Sequence, residues 1–273
     1  MNLWKIRLLV VSMLFVGMVF VNQGVLKADK KDSPYYEGGK VSVDLGGGER
    51  GTVNWETRFI TAKGMVPITI PITKNEALAR RGAVLDAQRR LLEIVKGVQI
   101  DSKTVVSDLM EVSDVVKSKV SGVVSNAEII DEKKDNGNYV VTMQAPMGDF
   151  ISVIIEETKI PRPDFLESSE YTGLVIDARG LNLEPAIFIN IYNDKDGVKV
   201  CGPIHPVYRV SVKNLNDINE YRIGANPLRI KAKGTTGPSG VDITISNGNA
   251  KKVRKKILNT GIFSKSRVVV LID

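Results

Sequence analysis

Two charged side chains at the end of a predicted buried strand form the strongest candidate binding groove in the sequence. Asp177 and Arg179 follow the apolar segment 173–176 and precede Gly180. A carboxylate and a guanidinium at a strand end can together bind a polar ligand, because binding sites often form at such ends. Their spacing also suits a local ion pair that holds the turn before Gly180, so a purely structural role is the alternative interpretation.

Cys201 and His205 have the residue types of a thiol–imidazole nucleophile. They lie four residues apart in Cys-Gly-Pro-Ile-His-Pro, where glycine and proline disrupt the helix that would align them. We therefore interpret them as a semi-buried cysteine and a loop histidine. With this one histidine and no H-E-x-x-H or C-x-x-C pattern, the sequence predicts no metal site.

The segment Gly46–Gly51 matches the G-x-G-x-x-G pattern of a dinucleotide-binding loop. That loop needs a helix N-terminus to hold the pyrophosphate, whereas the residues from Thr52 onward are typical of a strand. We therefore predict a glycine turn and no cofactor. The carboxylates show no spacing that marks an acid–base pair of the glycosidase type, so no catalytic residue is predicted.

The last predicted helix is strongly basic. Its cations are Lys251, Lys252, Arg254, Lys255 and Lys256, and its apolar stripe is Ala250, Val253 and Ile257. Such a face is usually solvated, and the alternative is docking on an anionic surface.

The net charge of +7 is mild for 273 residues, and part of it lies in the N-terminal segment. We predict no nucleic-acid partner, because an exported protein meets anionic lipid, wall polymer or acidic protein instead.

Residues 1–28 have the anatomy of a signal peptide. Lys5 and Arg7 precede an apolar run from Leu8 to Val21, and a more polar stretch ends at Ala28. The run is shorter than the roughly 20 residues that a membrane-spanning helix needs. We expect cleavage near Ala28 and a periplasmic protein; an uncleaved leader that anchors the chain in the inner membrane is the alternative. Membrane contact is expected only through such a leader or the basic helix.

The composition, with 43% hydrophobic and 25% charged residues, is typical of a soluble globular protein. The pattern of elements predicts an α+β fold with two small domains, each with helices packed on a mainly antiparallel sheet. The predicted regions are a signal peptide (1–28), a flexible lead-in (29–50), a first domain (51–157), a linker (158–170) and a second domain (171–273).

In the first domain, residues 52–63 are rich in β-branched and aromatic side chains and predict one strand. Thr73 and Gly97 mark the start and stop of a long helix. Its predicted core face consists of Ala77, Leu78, Val84, Leu85, Leu91, Leu92 and Val95, in pairs that recur every seven residues.

The remaining elements are predicted from turn and cap residues. A weaker helix is expected within 104–120, with strand as the alternative for its ends because of its many valines, and a short helix is expected over 149–157. Asn136-Gly137 predicts a hairpin between strands 122–131 and 139–146. The second domain is expected to contain strands 173–177, 186–192, 198–201, 228–233, 241–245 and 267–272. Its helix is expected to begin at Ser246 or Asn247 and stop at Gly261.

The first domain resembles a known family. The resemblance rests on Gly-Thr-Val-Asn-Trp-Glu (51–56), on Ala-Arg-Arg-Gly-Ala (79–83) and Leu-Leu-Glu-Ile-Val-Lys-Gly-Val (91–98) in the long helix, and on Ser-Asp-Val-Val (113–116). Over about residues 51–156 the chain looks like the Lpp-twenty family of bacterial envelope lipoproteins. That family is similar to the N-terminal domain of flagellar assembly protein T and to flagellar outer-membrane lipoprotein P. Residues 171–181 look like a segment that accompanies this domain in longer exported proteins.

The resemblance implies a periplasmic, non-enzymatic envelope protein with an assembly role. Its expected partners are envelope proteins, with flagellar basal-body or outer-membrane components as candidates. The family carries a lipidated cysteine after its leader, and this chain has none there, so lipid anchoring is not implied. The alternative is an envelope hydrolase or sugar-binding module with its site near Asp177 and Arg179.

Overall fold

The computed structural model describes residues 40–44, 49–68, 72–158, 169–210 and 222–273. They form an α+β fold with two sheets, which confirms the predicted class. The predicted signal peptide (1–28) and most of the predicted lead-in and linker lie outside these described residues.

The first sheet is antiparallel throughout its described residues. From one edge to the other, its strands are β1 (Lys40–Asp44), β2 (Glu49–Asn54), β3 (Phe59–Pro67), β5 (Asn138–Pro146) and β4 (Glu128–Asp135). The predicted hairpin between β4 and β5 is confirmed. Asn136 and Gly137 both have positive φ, 48° and 75°, as a type I′ turn requires.

The predicted strand 52–63 is in fact two strands separated by a turn. The Asn54 side-chain oxygen accepts hydrogen bonds from the main-chain N–H groups of Glu56, at 3.1 Å, and Thr57, at 2.9 Å. Arg58 then adopts a φ of 63°. An asparagine that bonds to the backbone two and three residues ahead favours a turn over an extended strand, so the chain reverses between β2 and β3.

The long helix α1 (Ile72–Lys96) ends immediately before Gly97, as predicted. The prediction of its core face is confirmed at Leu91 and Val95, which are buried, and is wrong at Ala77, Leu78 and Leu85, which are exposed. Val84 and Leu92 are half-buried. Leu78 and Leu85 are 63% and 60% exposed. The buried side chains that the prediction missed, among the described side chains of α1, are Ala79, Ala83, Ala87 and Ile94.

The cause is the close approach of α1 to β3 at Gly64. A β-carbon on Gly64 would lie 2.0 Å from the carbonyl oxygen of Ala83 and 2.3 Å from the main-chain nitrogen of Ala87. Only a glycine on the sheet and small residues on the helix permit such a short distance. The alanine stripe therefore faces the sheet, and Leu78 and Leu85 point away from it.

Three shorter helices complete this part of the chain: α2 (Val106–Val112), α3 (Asp114–Ser125) and α4 (Met147–Thr158). The predicted helix within 104–120 is two helices, because Ser113 caps α3 by accepting a hydrogen bond from Val116 N at 3.3 Å. The predicted strand 122–131 starts only at Glu128. Its first residues continue α3, whose buried valines recur every four residues at 116, 120 and 124.

The second sheet is mixed. Its strands, in spatial order, are β8 (Lys199–Ile204), β7 (Ile189–Asn193), β11 (Asp242–Ile245), β10 (Pro227–Thr236), β6 (Gly173–Asp177), β12 (Val268–Leu271) and β9 (Val207–Arg209). The strands β7 and β8 form an antiparallel hairpin. Among the described strands, however, four neighbouring pairs are parallel: β6–β10, β6–β12, β9–β12 and β7–β11.

Predominantly antiparallel pairing thus holds for the first sheet but not for the centre of the second. β12 is buried on both faces: Val268 and Val270 belong to the main core, whereas Val269 and Leu271 join a second cluster with Val175. Short, continuous apolar runs are typical of strands in parallel sheets. The run Val268–Leu271 was therefore the signal that an antiparallel interpretation overlooked.

Helix α5 (Asn247–Lys256) follows β11 and begins as predicted, because the Ser246 hydroxyl accepts a hydrogen bond from Asn249 N at 3.3 Å. It ends at Lys256 rather than at the predicted Gly261. The Leu258 N–H donates to Val253 O at 3.0 Å, a wider turn that closes the helix early.

The two sheets share one hydrophobic core, and the described residues form one compact unit. The main-chain N–H groups of Ile187 and Phe188 donate to the carbonyls of Gln99, at 3.0 Å, and Ile100, at 2.7 Å. Trp55 packs edge-on against Tyr208, with ring centroids 5.3 Å apart. These contacts join the loops around the first sheet directly to the second sheet.

Candidate functional site

The structure brings Asp177 and Arg179 together at the carboxyl end of β6. Arg179 Nε donates to Asp177 Oδ1 at 2.8 Å, and Arg179 Nη2 donates to Asp177 Oδ2 at 2.9 Å. The Arg179 main-chain N–H adds a third hydrogen bond to Oδ1 at 3.3 Å. Both carboxylate oxygens are therefore engaged by one guanidinium, in the bidentate geometry that makes such pairs strong.

One charged residue of the neighbouring strand β10 and one that follows β12 lie close to this pair. The register places Lys231 of β10 beside Asp177 on one side and Leu271 of β12 on the other. Asp273 Oδ2 accepts a hydrogen bond from Gly180 N at 2.7 Å. Carboxyl ends of parallel strands are where ligands bind in many α/β sheets, so the position suits a site even though the sheet is mixed.

Asp177 and Arg179 each shift the pKa of the other so that both side chains stay charged. The hydrogen bonds from Arg179, with a smaller contribution from Lys231, hold the pKa of Asp177 below its ordinary value, although partial burial acts to raise it. Asp177 raises the pKa of Arg179 in turn. At neutral pH the carboxylate is ionised and paired, so it is poorly suited to serve as a general acid. What the arrangement clearly does is hold the turn into Gly180, whose φ is 77°.

The ion pair predicts a pH-dependent contribution to stability. The folded pKa of Asp177 lies below the unfolded value of about 3.9, so the stabilisation is present above that pH and is lost as the pH falls through the folded pKa. Asp177→Asn should lower the free energy of unfolding by about 1 kcal/mol at pH 7 and by progressively less below pH 4. Urea unfolding of both proteins from pH 7 to pH 2.5 measures this difference.

The exposed Glu111 of α2 provides the control for this series. Glu111→Gln should leave the free energy of unfolding within about 0.5 kcal/mol of the parent at every pH. A deficit for Asp177→Asn that persisted undiminished at pH 2.5 would show that the substitution disturbs something other than the ion pair.

Cys201 and His205 do not form an activated nucleophile in this geometry. Burial raises the pKa of Cys201 to about 12, although Lys199 and Arg254 act to lower it. A thiol with that pKa stays protonated at physiological pH, whereas nucleophilic catalysis needs the thiolate. His205 Nδ1 lies 2.8 Å from the carbonyl oxygen of Ile187, and its ring packs edge-on against Phe188.

Gly51, the last residue of the G-x-G-x-x-G match, contributes to packing. Residues 45–48 lie outside the described part of the chain, but Gly51 lies within β2 and pairs with Ala62 of β3. A β-carbon on Gly51 would lie 2.1 Å from Ile94 Cδ1 of α1. A strand, not a helix, continues after Gly51, in agreement with the interpretation that this is no dinucleotide loop.

The basic residues of α5 lie on its solvent side. The apolar stripe Ala250, Val253 and Ile257 is fully buried. Arg254 Nη2 donates to the carbonyl of Lys199 at 3.3 Å, and Lys256 pairs with Glu170 at 3.2 Å. The exposed cations are Lys251, Lys252, Lys255 and Lys256, and Arg254 is half-buried.

A buried polar network escaped the sequence analysis. Asp242, only 2% exposed, accepts hydrogen bonds from Asn190 N at 2.7 Å and Asn190 Nδ2 at 3.2 Å. The buried Tyr208 hydroxyl donates to Ala186 O at 2.9 Å and accepts from Ala186 N at 3.0 Å. These bonds tie β7 to β11 and β9 to the loop before β7. No local pattern distinguishes Asp242 from the other aspartates, so only the structure could reveal it.

Within the described ranges, no three His, Cys, Asp or Glu side chains are grouped as a metal site requires. None of the helices in those ranges is long and apolar enough to cross a membrane.

Comparison with known proteins finds a likeness in the second half of the chain. Residues 173–273 match a family model described as the second domain of Treponema pallidum Tp0624. No curated protein matches the chain. The matched range contains every strand of the second sheet, helix α5 and the pair Asp177–Arg179, and it nearly coincides with the predicted second domain, 171–273.

Proposed function

We propose that this protein is a non-enzymatic component of the bacterial cell envelope, exported to the periplasm, that assembles with other envelope proteins. The observation that carries the proposal is the basic α5 face, defined as Lys251, Lys252, Lys255 and Lys256 together with the half-buried Arg254. The signal-peptide pattern of residues 1–28 supports the location. The resemblance of residues 51–156 to the Lpp-twenty family supports the assembly role and makes flagellar components candidate partners.

The way α5 is packed favours a protein partner over insertion into lipid. A helix that binds a bilayer buries its apolar side chains in the acyl region, but Ala250, Val253 and Ile257 are already buried in the core of this protein. Among the described residues, Lys251, Lys252 and Lys255 have no ion-pair partner. Three unpaired lysines on a rigid helix attract an acidic surface through charge.

The hydrolase or sugar-binding alternative is less well supported by the site geometry. It requires Asp177 or Arg179 to act on a ligand, and each of these side chains is already bonded to the other. A ligand would have to displace a bidentate ion pair in order to bind. The pair is better suited to holding the chain at the end of β6.

Reversing the charge of the α5 face tests the proposal. The chain carries a C-terminal tag and is cross-linked in its native cells, and the envelope proteins bound to it are identified and quantified. With Lys251→Glu, Lys252→Glu and Lys255→Glu combined, we expect the recovery of those partners to fall at least tenfold. These lysines are exposed, so the free energy of unfolding should change by no more than about 1 kcal/mol.

The control has the same change of net charge elsewhere on the surface. Lys103→Glu, Lys117→Glu and Lys195→Glu combined replace three other exposed lysines and should leave the recovered proteins unchanged. Equal losses of recovered partners in both variants would show that the effect comes from the change in net charge and not from the α5 face. Recovery of the unmodified chain without any partner, or turnover of an envelope glycan by the purified protein, would contradict the proposal.

A further inference from the structure

The outward face of α1 carries an apolar stripe, two of whose side chains are left largely uncovered by the described residues. Leu78 and Leu85 are 63% and 60% exposed, and Leu92 is half-buried. Their seven-residue spacing corresponds to two helical turns, so the three side chains form one line along the helix. We call this line the leucine stripe.

Packing within the protein accounts for Leu92, which rests partly on the main core, but not for Leu78 and Leu85. The same helix already provides a complete core face, consisting of Ala79, Ala83 and Ala87 beside β3 and of Leu91 and Ile94 further along. Large apolar side chains that line up on the surface of a soluble protein usually mark a contact with another molecule. Leucines repeated every seven residues are the pattern by which one helix packs along another.

Positive charge borders the leucine stripe. Arg81 and Lys96 are exposed, and the Arg89 side chain is 66% exposed. Two acids lie near Arg89. Asp86 also binds Arg90 Nε at 2.9 Å and Met65 N at 3.0 Å, and Glu93 is exposed one turn beyond Arg89. Because Arg81, Arg89 and Lys96 outnumber the one exposed acid, Glu93, the border has a net positive charge.

We propose that the leucine stripe binds an amphipathic helix of a partner protein, one with apolar side chains at seven-residue spacing and aspartate or glutamate on its flanks. The stripe from Leu78 to Leu92 is about 21 Å long, at 1.5 Å per residue, so it accommodates about four turns of such a helix. Charge complementarity selects the acidic flanks. This proposal concerns a different surface from the α5 face and does not depend on it.

A second copy of the chain fits the stripe poorly. In an antiparallel pair of α1 helices centred on Leu85, Leu78 would face Leu92, but Arg81 of each copy would face Arg89 of the other. In a parallel pair, each arginine would face its own counterpart. Like charges directly across a helix–helix contact are destabilising, so the basic border acts against self-association.

Site-specific photo-cross-linking tests the proposal in the full chain. A photoreactive benzoylphenylalanine replaces Leu85 in native cells, with Lys195, in the turn after β7, as the control position. The expected result is an adduct from Leu85 and not from Lys195. Sequencing of the attached peptide should show another protein whose helix has apolar residues every seven positions and flanking acids.

Arg81→Glu with Arg89→Glu should reduce the adduct at least tenfold, and changing the partner's flanking acids to lysine should restore it.

Every other result overturns the proposal. An adduct with this chain, whether with a second copy or with its own N-terminal segment, would assign the stripe to self-contact. An adduct with a basic or non-helical peptide would refute the partner chemistry. Labelling at Leu85 no stronger than at Lys195 would show that the stripe is not an interface. If the adduct returns when the partner's flanking acids are changed to lysine, the double arginine variant must be folded. The loss of the adduct then reports a lost contact and not a failure to fold.

Discussion

Gly64→Ala should lower the free energy of unfolding by about 3 kcal/mol, the upper part of the usual range for overpacking, whereas the same substitution at Gly122 should raise it by about 0.5 kcal/mol. The added β-carbon at Gly64 would lie 2.0 Å from Ala83 O and 2.3 Å from Ala87 N. Because both atoms belong to the backbone of α1, the helix itself must move away from β3.

Gly122 provides the matched control, because it lies inside α3 and a β-carbon there would have no atom within 4 Å. Alanine favours a helix interior more than glycine does. Urea unfolding of the parent and both variants measures the two effects. If the two substitutions changed the stability by the same amount in the same direction, the close packing of α1 on β3 would be refuted.

Two leucines of α1 should respond very differently to truncation. Leu91→Ala should cost about 3 kcal/mol, because Leu91 is fully buried and its removal leaves a cavity. Leu85→Ala should change the free energy of unfolding by no more than about 0.5 kcal/mol, because Leu85 is 60% exposed. Both substitutions place alanine in the same helix, so differences in helix propensity cancel.

Chemical denaturation of the isolated protein measures this contrast, and dilution over a hundredfold range of protein concentration is the control for self-association. A loss at Leu85 comparable to that at Leu91 would place the leucine stripe in the core, as the sequence analysis expected. A loss at Leu85 that appeared only at high protein concentration would indicate a contact between copies.

The two proposed contact surfaces should select different kinds of partner. The α5 face presents charge without exposed apolar side chains, because Ala250 and Val253 are buried. The leucine stripe presents apolar side chains with a basic border. A contact through α5 should therefore weaken strongly with salt, whereas burial of Leu78 and Leu85 depends much less on ionic strength.

The pair Asp177–Arg179 illustrates how far local spacing leads. Two residues separated by one position after a strand can meet in a turn, and they do so with a bidentate geometry. Local spacing does not predict which residues lie next to the pair. Lys231 and Asp273 reach this edge only because β10 and β12 lie on either side of β6. A ligand-binding role for the pair remains a prediction.

The sequence by itself determined the features that depend on neighbouring residues. Asn136-Gly137 predicts the β4–β5 turn because few other residues adopt positive φ at both positions. Ser246 predicts the start of α5 because its hydroxyl bonds to the backbone three residues ahead. The stop of α1 at Gly97 and the α+β class follow from the same kind of short-range pattern.

The tertiary structure decided which side of each element is buried and which strands pair. Seven-residue leucine spacing and four-residue alanine spacing coexist on α1, and either could face a sheet. The choice depended on Gly64, because only the small alanines can approach the backbone of β3 so closely. Likewise, β6 lies between strands from positions 227–236 and 268–271. Pairing between strands so far apart in the sequence depends on which elements cover the two faces of the sheet. A local sequence pattern carries no information about those elements.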